Sequence, residues 1–169
     1  MRRNTNTSPS EFINVKGIEY FNFEEDFMED NVRCIPMVVR FKMDAAGVKL
    51  KLSEWSKFQP EERVKLALMP TNHSETIESY HQYLVTLIAK YTGNTATELD
   101  IDQQPAWANL NQIPEMLVEK SNEIELNLSL HQWESLTDIQ RFALLKLCRP
   151  GHENKNFPKA VKEFGLLSN

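Results

Sequence analysis

Apolar positions recur every three or four residues over most of the chain, the spacing of helices that bury one face. Met37, Val38, Val39, Phe41 and Met43 fill the first such stretch. Pro36 stands at its first turn, where a missing N–H costs nothing, and Gly47 suits a left-handed helix end. Gln59-Pro60-Glu61-Glu62 then puts proline and acid at a helix N-terminus, and Pro70 stops that helix. Ile77, Tyr80, Leu84, Leu87, Ile88 and Tyr91 make one face of a further helix, closed by Gly93. Pro114 to Lys120 makes a short one. Thr137-Asp138-Ile139-Gln140 is a capping box, in which the Thr137 hydroxyl and the Gln140 amide each satisfy a main-chain N–H of the other. Phe157, Val161 and Phe164, closed by Gly165, give the last helix. The helix 138–148 differs from the rest. Phe142-Ala143-Leu144-Leu145-Lys146-Leu147-Cys148 is apolar nearly all round, the mark of a helix buried on several sides. It is expected at the centre of the molecule, with Leu144, Leu145 and Cys148 nearly fully buried.

Two other stretches alternate with period two: Val48-Lys49-Leu50-Lys51-Leu52 and, 78 residues later, Leu126-Asn127-Leu128-Ser129-Leu130. The first leads to Trp55 and Arg63, the second to Trp133 and Arg141. Between 48–70 and 126–148, five of 23 positions are identical. A tryptophan and an arginine in register, in a chain with three tryptophans, point to an internal duplication with units 48–92 and 126–167. Each unit reads as a short extended run, a short helix carrying the Trp and a longer helix carrying the Arg. The pattern predicts a mainly α protein: one compact domain over 18–169 of about six to seven helices. It leaves room for one short two-stranded ribbon pairing 48–52 with 124–130. Residues 1–17 are polar and aperiodic and read as a flexible tail.

Composition narrows the function more than the fold. The chain has 169 residues, 41% hydrophobic and 25% charged, which is ordinary globular usage. A net charge of −5 argues against a nucleic-acid binder, which carries a basic stripe. The five glycines are widely scattered, so neither glycine-rich phosphate loop occurs. Cys34 and Cys148 lie in apolar runs and form no C-x-x-C, which gives no support to a zinc ribbon or an iron–sulfur cluster and fits free thiols. The N-terminus lacks an apolar leader, and no apolar run is long enough to span a bilayer. The expectation is a cytoplasmic protein away from membranes.

His73, His81, His131 and His152 form no H-E-x-x-H, and Pro150-Gly151 separates Cys148 from His152. With G-x-S-x-G also absent, no metal, cofactor-binding or catalytic residue is assigned. Arg63 and Arg141 fit either structural ion pairs or an anion-binding pair, and Trp55 and Trp133 read as core anchors. Glu24-Glu25-Asp26 with Glu29-Asp30 fits a solvated helix face or charge at a helix N-terminus. Basic residues gather at Arg33, Arg40, Lys42, Lys49 and Lys51, as a solvated face or as a docking surface for an acidic partner.

Several strings together resemble the small nitrate reductase-associated proteins of cyanobacteria and some other bacteria. They are Phe23-Glu24-x-Asp26-Phe27, Arg33-Cys34-Ile35-Pro36-Met37-Val38-Val39-Arg40-Phe41-Lys42-x-Asp44, Gly47-x-Lys49-Leu50 and Trp55. The most specific lie near the C-terminus: Arg141-Phe142-Ala143-Leu144-Leu145-Lys146-Leu147, His152-Glu153-Asn154-x-Asn156-Phe157 and Glu163-Phe164-Gly165. The likeness runs from Tyr20 to Leu166. It implies a non-catalytic accessory or maturation factor required for a molybdenum-dependent assimilatory nitrate reductase. On that reading the partner is the reductase polypeptide, and the molybdopterin and iron–sulfur groups belong to the reductase. The alternatives are a small protein that binds or inserts the molybdenum cofactor and a helical regulatory adaptor in nitrogen metabolism.

An accessory without chemistry works through contact. Arg33, Arg40, Lys42, His152, Glu153, Asn154 and Asn156 belong to the resembling strings yet are poor core formers, so they are the candidate partner contacts. The competing reading pairs the arginines internally with Glu24, Asp26 or Asp44 and makes the 152–156 turn a cap on helix 138–148.

Overall fold

A computed structural model describes residues 10–27, 34–150 and 152–167, with only the backbone at 26, 27, 152 and 153. Among them are eight α-helices: α1 Met37–Ala46, α2 Leu52–Trp55, α3 Pro60–Leu68, α4 Ser74–Thr92, α5 Glu115–Glu123, α6 Leu130–Ser135, α7 Asp138–Leu147 and α8 Phe157–Glu163. Three 3₁₀ turns, Asn22–Phe27, Ala106–Ala108 and His152–Asn156, and two short strands, β1 Val48–Lys49 and β2 Thr97–Glu98, complete the described elements. The protein is mainly α. The chain divides into two compact units, Met1–Asp102 and Gln103–Asn169, and the boundary falls in the segment between the two matching Trp–Arg stretches.

In the first unit, α1 packs on α3 and α4. Its N-terminus has no cap of its own, since Pro36 carries no side-chain donor or acceptor. A carboxylate from earlier in the chain supplies one: Glu24 is buried and accepts the Met37 N–H at 2.7 Å and the Phe21 N–H at 3.2 Å. A negative charge there meets the positive end of the helix dipole. At the other end Gly47 adopts φ 70°. A side chain at that position would also lie 3.1 Å from the Leu99 carbonyl and 3.0 Å from Ile101, because β2 returns alongside β1. Glycine is thus required twice over.

The two strands pair antiparallel, Val48 opposite Glu98 and Lys49 opposite Thr97. This corrects the expected pairing of 48–52 with 124–130. Leu126 instead closes the end of α5 by donating its N–H to the Ser121 carbonyl, with Glu125 at φ 58° before it, and Ser129 already caps α6. The period-two leucines of that run serve a turn and a helix start. The first unit's buried residues include Val39, Trp55, Phe58, Leu66, Tyr80, Leu84 and Ile88, and Phe12 stacks on Trp55. Phe12 is 1% exposed and Ser10 is buried too, so this part of the polar N-terminal segment belongs to the packed unit. The expected flexible stretch 1–17 otherwise begins outside the described residues.

The second unit is built on α7. The 106–108 turn, α5, the 152–156 turn and α8 all pack against it. The Thr137–Gln140 capping box forms as the sequence predicts, at 2.9 and 3.2 Å. Ile139, Arg141, Phe142, Ala143, Leu144 and Leu147 are buried. Leu145 and Cys148 are only half-buried, contrary to the expectation for them. They lie three apart, on one helical face that stays partly open. Neither Cys34 nor Cys148 is in a disulfide.

Candidate functional site

The polar chemistry of this protein gathers around two arginines. In each unit a short helix carries a fully buried tryptophan, and the next helix sets an arginine over that ring. The Arg63 guanidinium carbon lies 5.9 Å from the Trp55 ring centre, and that of Arg141 lies 5.8 Å from Trp133. Both arginines are themselves buried. The surrounding hydrogen bonds correspond at the same offset of 78 residues. Arg63 Nη1 donates to the Phe58 carbonyl at 2.5 Å, and Arg141 Nη1 donates to the Leu136 carbonyl. The Lys51 and Ser129 N–H groups donate to Glu54 and Gln132, at 2.8 and 3.0 Å. Those of Gln59 and Thr137 donate to Glu62 and Gln140, at 2.8 and 2.9 Å. These bonds tie each helix start to its own first turn and so fix the Trp against the Arg.

The cradles differ in what covers them. Arg141 Nε donates to the Trp107 carbonyl at 2.7 Å and Trp133 Nε1 to the Asn109 carbonyl at 2.9 Å, so main chain covers the second cradle. Asp138 pairs with Arg141 Nη2. The first is covered by side chains of Ser10–Phe12. Glu11 holds Arg63 through both oxygens, 2.6 Å to Nε and 3.2 Å to Nη2. Phe12 stacks on Trp55 with ring centres 6.1 Å apart. Ser10 bonds Tyr20 at 3.2 Å, and its N–H donates to Glu25 at 3.1 Å. Trp55 Nε1 is buried with no hydrogen-bond partner among the described residues. Both arginines therefore act within the fold. The sequence contains no signal for Glu11 or Phe12, because they lie in a segment without periodicity, 52 and 43 positions from Arg63 and Trp55.

The residues proposed as partner contacts are not gathered into one described cluster. Arg33 lies outside the described residues, as do the side chains of His152 and Glu153. Arg40 is half-buried on α1 and donates from Nε to the Ile35 carbonyl at 2.9 Å. Lys42 is half-buried as well and donates to the Ala67 carbonyl, at the end of α3, at 2.7 Å. Burial lowers its ammonium to about 8, partly opposed by Glu19. Asn154 is half-buried. Asn156 is 4% exposed, and its Oδ1 has no partner among the described residues. This corrects the expectation of an exposed anchor there: Asn156 ends the 3₁₀ turn against the buried Phe157 and is packed with it.

His73 precedes α4, where its N–H donates to Thr76, and His81 faces Glu98 at 3.7 Å. Burial pushes the Cys148 thiol up to about 11, which keeps it protonated at neutral pH. Among the described residues no three His, Cys, Asp or Glu side chains come together as metal ligands. None of their helices is long and apolar enough to cross a membrane.

Fold and site define a small helical protein whose buried polar groups hold its own segments in place. The family model of the conserved nitrate reductase-associated proteins matches residues 20–164. The chain belongs to that family. Comparisons with curated proteins and with solved structures give no match.

Proposed function

We propose that this protein is a non-catalytic accessory or maturation factor required for a molybdenum-dependent assimilatory nitrate reductase, and that it acts by contact with the reductase polypeptide in the cytoplasm. The family match over 20–164 is the observation that carries this reading. The buried polar groups agree with it in one respect. Arg141 and Glu24 spend their hydrogen bonds on internal partners, as a protein that presents a rigid surface requires. Arg33, Arg40, Lys42, His152, Glu153 and Asn154 stand as the contact residues of this proposal. Asn156 supports the turn from within.

The same reading takes the segments 48–92 and 126–167 as copies of one ancestral unit. The support is the offset shared by the Trp, the Arg, the carbonyl under the Arg and both helix starts.

The test is removal of this protein from a nitrate-assimilating host, with measurement of reductase activity and of reductase polypeptide in the same extracts. The expected result is loss of activity that is restored by the gene in trans. Unchanged nitrate reduction on a molybdate-replete medium would contradict the reading.

A further inference from the structure

The two Trp–Arg cradles correspond residue for residue, yet the segments that cover them do not. The covering residues stand 52 and 34 positions ahead of their arginines and share no sequence pattern. One cradle is met by main-chain carbonyls of Trp107 and Asn109, the other by the Glu11 carboxylate and the Phe12 ring. A single arrangement of Arg over Trp thus accepts two unrelated peptide segments. The second segment satisfies both donors of its cradle. The first satisfies Arg63 but leaves Trp55 Nε1, fully buried, without a partner among the described residues. A buried indole N–H without an acceptor disfavours the state that contains it. A segment that offers a carboxylate to Arg63, an aromatic ring to Trp55 and a carbonyl to Nε1 fits this site better than Ser10–Phe12 does.

We propose that the Trp55–Arg63 cradle is a docking site for an extended segment of a partner protein bearing an acidic residue followed by an aromatic one, and that Ser10–Phe12 occupies it in cis as an exchangeable strap. The chemistry of the strap defines the ligand. Arg63 is already forked onto both oxygens of a carboxylate, a geometry that Lys or a neutral amide cannot reproduce. Trp55 supplies the flat apolar wall for the ring. Because the strap is tethered, it competes at high effective concentration, so the site is closed until a better segment arrives.

A labelled peptide with the sequence of residues 10–15, Ser-Glu-Phe-Ile-Asn-Val, tests this on the full-length chain. The double variant Glu11→Gln/Phe12→Ala releases the strap. It should bind the peptide saturably and at least about tenfold more tightly than the unaltered protein does. Peptides carrying Gln for the acidic residue or Ala for the aromatic one should bind at least about tenfold more weakly. Equal binding by the unaltered and variant chains would overturn the proposal. So would absence of binding by a double variant that keeps its helical circular dichroism and cooperative melting. A concentration-dependent dimer of the unaltered chain that the double variant abolishes would make a second copy the occupant and overturn the partner assignment. If the double variant does not fold, hydrogen exchange on the unaltered chain decides. Excess peptide should speed exchange at the Phe12 and Val15 amides and leave that of Asn109 unchanged, whereas no change at residues 10–15 would refute the strap.

Discussion

Lys42 shows how one side chain records its surroundings. Its ammonium is half-buried beneath α1 and donates to the last turn of α3, and burial lowers it from 10.5 to about 8. Below about 8 the group is charged in both folded and unfolded chains, and the fold bears the full cost of burying that charge. Between about 8 and 10.5 the unfolded chain binds more protons, so stability rises with pH through that window. Between denaturant melts of the unaltered protein and of Lys42→Met, the stability difference should shift there in favour of the unaltered protein; a difference that stays flat with pH would refute the assignment. Arg40 separates structure from contact. Arg40→Ala removes its hydrogen bond to the Ile35 carbonyl, and His152→Ala alters the turn after α7. If these residues meet the reductase, each variant should lose activation of the enzyme with its melting temperature unchanged. Equal loss of both quantities would assign them to the fold. Gly47 is the third residue that speaks alone. Gly47→Ala must hold φ near 70° and push aside the Leu99 carbonyl, and should cost at least about 1–2 kcal/mol in urea unfolding.

The helices draw their stability from two different sources. α1 relies on Glu24, thirteen positions before the N–H it caps, so Glu24→Ala should cost about 1–2 kcal/mol, near the upper end for a lost cap. A smaller loss than that of the surface variant Glu61→Ala would show that the cap contributes nothing. α7 relies on packing, and Leu144→Ala should cost about 2–5 kcal/mol, the range for a leucine with no exposed surface. This difference also explains which elements were legible in the sequence. Helices that carry their own signals were readable to within a residue or two: Pro60 and Gln59 for α3, Thr137 and Gln140 for α7, Gly47 and Gly93 as terminators. The ribbon was not, because a two-residue strand at Thr97–Glu98 has no periodicity to detect. An alternating run of leucines offered a false partner for it. The all-round apolar pattern of α7 located the core of the second unit but not its open side at Leu145 and Cys148, since composition alone does not say which face lacks a neighbour.

For the whole molecule, the resembling strings spread over the chain and the family match over 20–164 agree in extent. The Trp–Arg pairs stand in register in the sequence, and their burial follows from the apolar residues around them. Their covering segments were invisible, because Glu11 and Phe12 lie in a polar stretch and Trp107 lies between two prolines, and both act through long-range contact. The candidate contact residues share one criterion, a polar side chain within a family-like string. That criterion does not distinguish Asn156, which is buried, from Asn154, which is partly exposed. The proposed function rests on binding of the reductase polypeptide. The most direct measurement is recovery of the tagged full-length chain from nitrate-grown cells, with and without molybdate, followed by quantification of the reductase. The expected result is stoichiometric co-purification that depends on whether the reductase carries its cofactor. Recovery of the chain alone under both conditions, from extracts that contain abundant reductase, would contradict it.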